Sequence, residues 1–159
     1  MQTRQIDQAA FGVVYGSITV LALLMSAHPP VENPGRQAIM LFLAVFAVAL
    51  AKAFAEICER VLQSGQSATW ADAKQVWQHA QTVLIAANGP TLAFALAATG
   101  VISGDMALVL AQILVFGLLA YFGARIGWRV SGTLFGTAVG VAVTGGIAGL
   151  VSLLKFVAH

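Results

Sequence analysis

Lys52, Glu56, Glu59 and Arg60 fall in the second half of an apolar run, IMLFLAVFAVALAKAFAEICERVLQS, at residues 38–63. Lys52 and Glu56 are four residues apart, as are Glu56 and Arg60, so all three share one side of a helix. Glu59 follows Glu56 by three and joins that side. Ionisable groups on a helix in lipid are costly, so they must pair, change protonation or meet water. At this spacing Lys52 and Glu56 can neutralise each other, and a carboxylate so placed could carry a proton through a transport cycle. The same pair suits a static lock, because a buried ion pair is not by itself evidence of function. The run also suits a helix end leaving the lipid, with Lys52 snorkelling. Three other polar groups sit in apolar surroundings: Tyr15, Asn88 and Gln112. An ion or solute pathway would bring Tyr15, Lys52, Glu56, Glu59, Asn88 and Gln112 together.

Other chemistry is poorly provided for. Ser17 or Ser103 as a nucleophile lacks a histidine partner, since His28, His79 and His159 sit near ends or loops. No HExxH, CxxC, glycine-rich phosphate loop or haem motif occurs. The single cysteine, Cys58, cannot close an intrachain disulfide and reads as a small buried side chain. The expectation is a protein that is not an enzyme, with no cofactor and no metal centre. Basic residues are scattered, without the stripe or aromatic platform that nucleic acid requires.

The elements that must position these residues follow from composition. Of 159 residues, 59% are hydrophobic and only 9% are charged, and mean hydropathy is +0.87. A soluble domain carries about 25% charged residues. So few charges cannot cover a water-facing surface, and lipid is the expected solvent. Roughly 20 apolar residues cross about 30 Å of hydrocarbon. Five runs qualify or come close: residues 9–27, 38–63, 79–99, 106–124 and 131–154. The expected fold is all-α, a single five-helix transmembrane domain over residues 1–159. The first run reads as a retained span, because it continues to Pro29 and Pro30 without a small-x-small cleavage site.

Between the runs, HPPVENPGR at 28–36 is a turn, with His28 at the headgroup level. Residues 64–78 read as one short interfacial helix. Thr69 and Asp72 resemble a capping box, and Trp70, Ala73, Val76 and Trp77 fall near one face. Asn88-Gly89-Pro90 interrupts the third span near mid-depth, either as a kink or as a broken helix offering carbonyls to a substrate. Gln112 is expected to hydrogen-bond across the bundle. Gly12, Gly16 and Ser17 form one narrow face of the first span. Gly132, Gly136 and Gly140, then Gly145 and Gly149, repeat at four along the last, marking a close packing face inside the bundle or between subunits.

Charge sets the expected topology. With the N-terminus inside, Arg4, Arg60, Lys74, Arg125 and Arg129 lie on the inner side and Arg36 and Lys155 on the outer. Five against two favours a cytoplasmic N-terminus and an outer C-terminus in the inner (plasma) membrane.

The five-span layout and two motifs resemble the vacuolar iron transporter family. Its members are five-helix, generally dimeric membrane proteins that exchange ferrous or manganese ions for protons. The family pattern G-x-N-D-G aligns with Gly12-Val13-Val14-Tyr15-Gly16, so Tyr15 stands at the ion-binding aspartate. The pattern S-M-A-x-G-E aligns with Ala51-Lys52-Ala53-Phe54-Ala55-Glu56. Glu56 matches the glutamate, and Lys52 stands at the methionine ligand. An ammonium there repels a divalent cation and supplies no ligand unless deprotonated. The resemblance therefore implies a proton-linked, anion-handling or other small-solute role on a similar scaffold. The expected function is a small-solute or ion transporter or channel, working as a homodimer through small-residue helix faces. The alternative is a non-transporting membrane accessory or assembly protein.

Overall fold

A chain in hydrocarbon must satisfy its backbone N–H and C=O groups within its own segments, which makes helices the natural form of the apolar runs. The computed structural model describes residues 2–27 and 29–157, with side chains described over 12–27, 29–146 and 149–150. Five helices occur among the described residues: α1 (Gln2–Ser26), α2 (Pro34–Ser64), α3 (Trp70–Ala98), α4 (Gly104–Ser131) and α5 (Leu134–Val157). Three of them, α2, α3 and α4, are long and apolar enough to cross a membrane. Within α1 and α5 the apolar stretches with described side chains are shorter, Gly12–Ser26 and Leu134–Gly146. The protein is thus an all-α, multi-pass membrane protein. His28 and His159 lie outside the described residues, as do the side chains of Arg4 and Lys155.

Local chemistry fixes the helix ends. Pro34 opens α2 and Asn33 Oδ1 accepts from the Arg36 N–H at 3.0 Å. At the other end Gly65, at φ +65°, turns the chain and returns its N–H to the Val61 carbonyl at 2.9 Å. Thr69 and Asp72 close the expected capping box at the start of α3. Ser103 Oγ caps α4 through the Met106 N–H at 3.2 Å.

Three expectations are corrected here. There is no separate interfacial helix at 64–78, because residues from Trp70 onward are the first turns of α3. Nothing stops the helix after its cap, and its apolar face packs on α2: Val76 and Ala80 are buried against Ala53, and Trp77 meets Phe46 edge to face at 6.0 Å. Asn88-Gly89-Pro90 does not break α3, which continues through a buried Pro90 to Ala98, so of the two expected forms the broken helix is not the one present. Proline removes a single N–H, and packed neighbours tolerate that. Gly132 belongs to no packing face: at φ +62° it terminates α4 with its N–H on the Trp128 carbonyl at 2.7 Å.

α3 is the central helix, packed on α1, α2 and α4, while α5 packs mainly on α4. Small residues on α3, among them Ala86, Ala87 and Ala93, admit Val20, Leu21 and Leu24 of α1, Leu41 and Val45 of α2, and Ala111 and Val115 of α4. The expected small-residue contacts are present within the chain. A Cβ on Gly16 would stand 2.6 Å from the Val83 carbonyl oxygen, so α1 and α3 meet nearly backbone to backbone. Ser17 is wholly buried beside it. Gly136 and Gly140 face Gly127 and Gly123 of α4 in the same way. Gly145 and Gly149 face open space. At one end of the bundle the Val31 N–H donates to Asp105 Oδ1 at 2.9 Å, tying the α1–α2 connection to α4. The α2–α3 connection lies at the other.

Candidate functional site

α1 and α2 both lean on α3 but touch each other little. A cleft lies along α2; its polar part holds about 500 Å³ and is lined by Lys52, Ala55, Glu56, Glu59, Arg60 and Gln63 of α2 and by His79 of α3. An apolar extension of about 390 Å³, lined by Tyr15, Val48, Ala51, Lys52 and Ala55, runs toward α1. Lys52 and Ala55 line both parts.

Glu56 is the hub. Its Oε1 accepts from Arg60 Nη2 at 2.9 Å and lies 3.3 Å from His79 Nδ1. The neutral tautomer bearing the Nδ1 proton donates to it, and so does the imidazolium. The Arg60 guanidinium also donates to Gln75 Oε1 at 3.1 Å and stands 3.8 Å from Asp72 Oδ1. A single i,i+4 ion pair on a wet surface is worth only about 0.3–0.5 kcal/mol. A half-buried carboxylate shared by a guanidinium and an imidazole is a different object, since each partner limits where the other can move. An imidazole–carboxylate pair of this kind can pass a proton, and histidine is the side chain whose charge changes most readily near neutral pH.

Hairpin geometry assembles this cluster. α2 and α3 are antiparallel around the 65–69 connection, so Glu56 and His79 lie within one residue of equal distance from it, as do Arg60 and Gln75. The Thr82 hydroxyl donates to the His79 carbonyl at 2.7 Å. Thr82 also fills the space a side chain at position 12 would need, and a Cβ on Gly12 would lie 3.5 Å from Lys52 Nζ. Glycine at 12 therefore leaves room for Thr82, with the lysine ammonium at ordinary contact distance beside α1.

Of the six sequence candidates, Tyr15, Lys52, Glu56 and Glu59 line the cleft. Glu59 is on its exposed flank, accepting from Gln63 Nε2 at 2.9 Å. Asn88 does not join them. It lies nine residues beyond His79 on the same helix, about two and a half turns, which puts it on the opposite side of α3, where it is exposed. Gln112 is half-buried on α4, a helix that packs on α3, α1 and α5. Among the described residues it has no hydrogen-bond partner, contrary to the expected bond across the bundle. His79 is the cleft residue that sequence reasoning passed over. The signal was there in its hairpin register with Glu56. No group of three or more His, Cys, Asp or Glu side chains suited to a metal occurs among the described residues.

Comparison of the chain with protein-family models, with curated proteins and with solved structures finds no match.

Proposed function

We propose that this protein is a transporter of a small ion or solute in the cytoplasmic membrane, linked to proton movement through Glu56 and His79. The observation that carries the reading is the shared carboxylate: Glu56 sits between Arg60 and His79 on the wall of an open cleft of about 500 Å³ that also holds Lys52. A group that must gain and lose a proton during a cycle needs a partner to exchange with and access to water; His79 is such a partner, and the open form of the cleft supports the access. In this reading all five helices cross the bilayer, the N-terminus is cytoplasmic and the membrane is the inner one. The working unit is a homodimer, and the chain is not an enzyme. The resemblance to the vacuolar iron transporter family points the same way through Glu56, while Lys52 at the methionine position argues for a cargo other than a bare divalent cation.

Glu56→Gln keeps the shape and the Arg60 contact while removing the titrating oxygen. Reconstituted in proteoliposomes, the variant is expected to assemble normally and to lose pH-driven flux in a screen of anions and cations. Flux that keeps its full dependence on the pH gradient removes Glu56 from the mechanism.

A second reading, a non-transporting accessory or assembly protein, is favoured by a different observation. Beyond the cleft the bundle is filled by Val20, Leu21, Leu24 and Phe94, all fully buried. A scaffold wants such a core, whereas a carrier must open it. Solute flux above that of empty vesicles separates the two.

A further inference from the structure

The α4–α5 hairpin carries a second groove, remote from Glu56. It holds about 510 Å³ along the last turns of α4 and the first turns of α5. Ile126 and Val130 form one wall, and Phe135, Val139 and Val143 form the other. Its floor is where the glycine-notched backbones meet, at Gly127 and Gly140. The groove contains two hydroxyls, but each is turned onto its own helix: Ser131 Oγ donates to the Gly127 carbonyl at 2.9 Å and Thr144 Oγ1 to the Gly140 carbonyl at 2.9 Å. An occupant therefore meets only apolar atoms. The groove is open along its length, with Val130 85% and Phe135 80% exposed.

One end of the groove is basic. Arg129 follows Ile126 by three residues and Arg125 precedes Arg129 by four, so both stand on the flank of α4 next to that wall. The Arg125 guanidinium is steadied by a hydrogen bond to the Tyr121 hydroxyl at 3.3 Å. No acidic residue follows Asp105 in the sequence, so this end of the hairpin carries net positive charge. Guanidinium groups match phosphate oxygens with paired donors, and basic sites at helix ends favour anionic lipids.

We propose that the α4–α5 groove holds one acyl chain of an anionic phospholipid, with the headgroup phosphate at Arg129 and Arg125. The apolar lining takes the chain and the cationic flank selects the headgroup. This site is independent of the cleft and does not rest on the transporter reading.

The test uses the full chain reconstituted in vesicles of equal phosphatidylglycerol and phosphatidylcholine, then released gently and weighed intact by native mass spectrometry. One phosphatidylglycerol per chain is expected, in preference to phosphatidylcholine. Arg125→Gln with Arg129→Gln lowers that preference roughly tenfold or more, and Val139→Trp fills the groove and removes the adduct with both arginines in place. Equal retention of the two lipids overturns the proposal, as does an adduct that survives Val139→Trp. A dimer that Val139→Trp splits into monomers also overturns it, by giving the groove to a second copy. Should the tryptophan variant fail to fold, the arginine pair, at exposed positions, still decides the outcome, with circular dichroism confirming its helix content.

Discussion

One substitution made twice on α5 should change sign. At Gly140 a Cβ would run into the Gly123 carbonyl oxygen and lie 3.0 Å from both the Cα and the N of Gly127. All three neighbours are backbone atoms of α4, which cannot rotate away as a side chain can, so the helices must separate. Overpacking of this sort costs about 1–3 kcal/mol. Removing a helix glycine returns about 0.5–1 kcal/mol through the unfolded chain. With three backbone contacts to relieve, the cost should lie in the upper part of that range, and Gly140→Ala should destabilise by about 1–2.5 kcal/mol net. At Gly145, one turn and a residue further on, nothing among the described residues lies within 4 Å of the added carbon. There the entropic return stands alone, and Gly145→Ala should stabilise by about 0.5–1 kcal/mol. Reversible unfolding in mixed detergent micelles, followed by circular dichroism, measures both on one scale. The reasoning fails if Gly140→Ala is as stable as the parent protein, or if the two alanines cost the same.

Thr69→Ala removes the hydroxyl that accepts the Asp72 N–H and half of the capping box. A loss of about 1 kcal/mol is expected in the same unfolding assay, within the usual range for cap deletions. His79→Gln keeps a side chain able to donate to Glu56 Oε1 but not one that takes up a proton. Assembly and melting should match the parent, while pH-driven flux in proteoliposomes falls about a hundredfold, the low end for loss of a group that moves a proton. Retention of full flux would restrict His79 to a positioning role.

The apolar runs were enough to place all five helices, because their length and composition leave the backbone no other way to satisfy itself in lipid. The Thr69 cap and the contacts of Gly16, Gly136 and Gly140 were equally legible, since each depends on spacing within one helix. The errors have a common origin in relations between helices. The charge of Glu56 acts on Lys52, as their spacing on α2 predicts, but its carboxylate also meets His79 across the hairpin, a contact that spacing within one helix does not show. Asn88 and Gln112 looked convergent as polar groups in apolar runs. Their helical phase and the position of α4 behind α3 keep them out of the cleft. Residues 70–78 looked interfacial because amphipathicity alone does not say whether the partner of an apolar face is lipid or another helix. Here it is Ala53 and Phe46 of α2.

Proton movement through Glu56 requires that water reach the cleft side of α2. Ala55 lines both parts of the cleft, while Phe54, next to it in sequence, is 70% exposed and lines neither. With Cys58 replaced by serine, single cysteines at these two positions can be challenged with a membrane-impermeant maleimide in vesicles opened to both faces. Labelling at position 55 and none at position 54 is the predicted result. An unlabelled cysteine at 55, with the chain folded, would mean the cleft is filled with lipid and that Glu56 has no aqueous route.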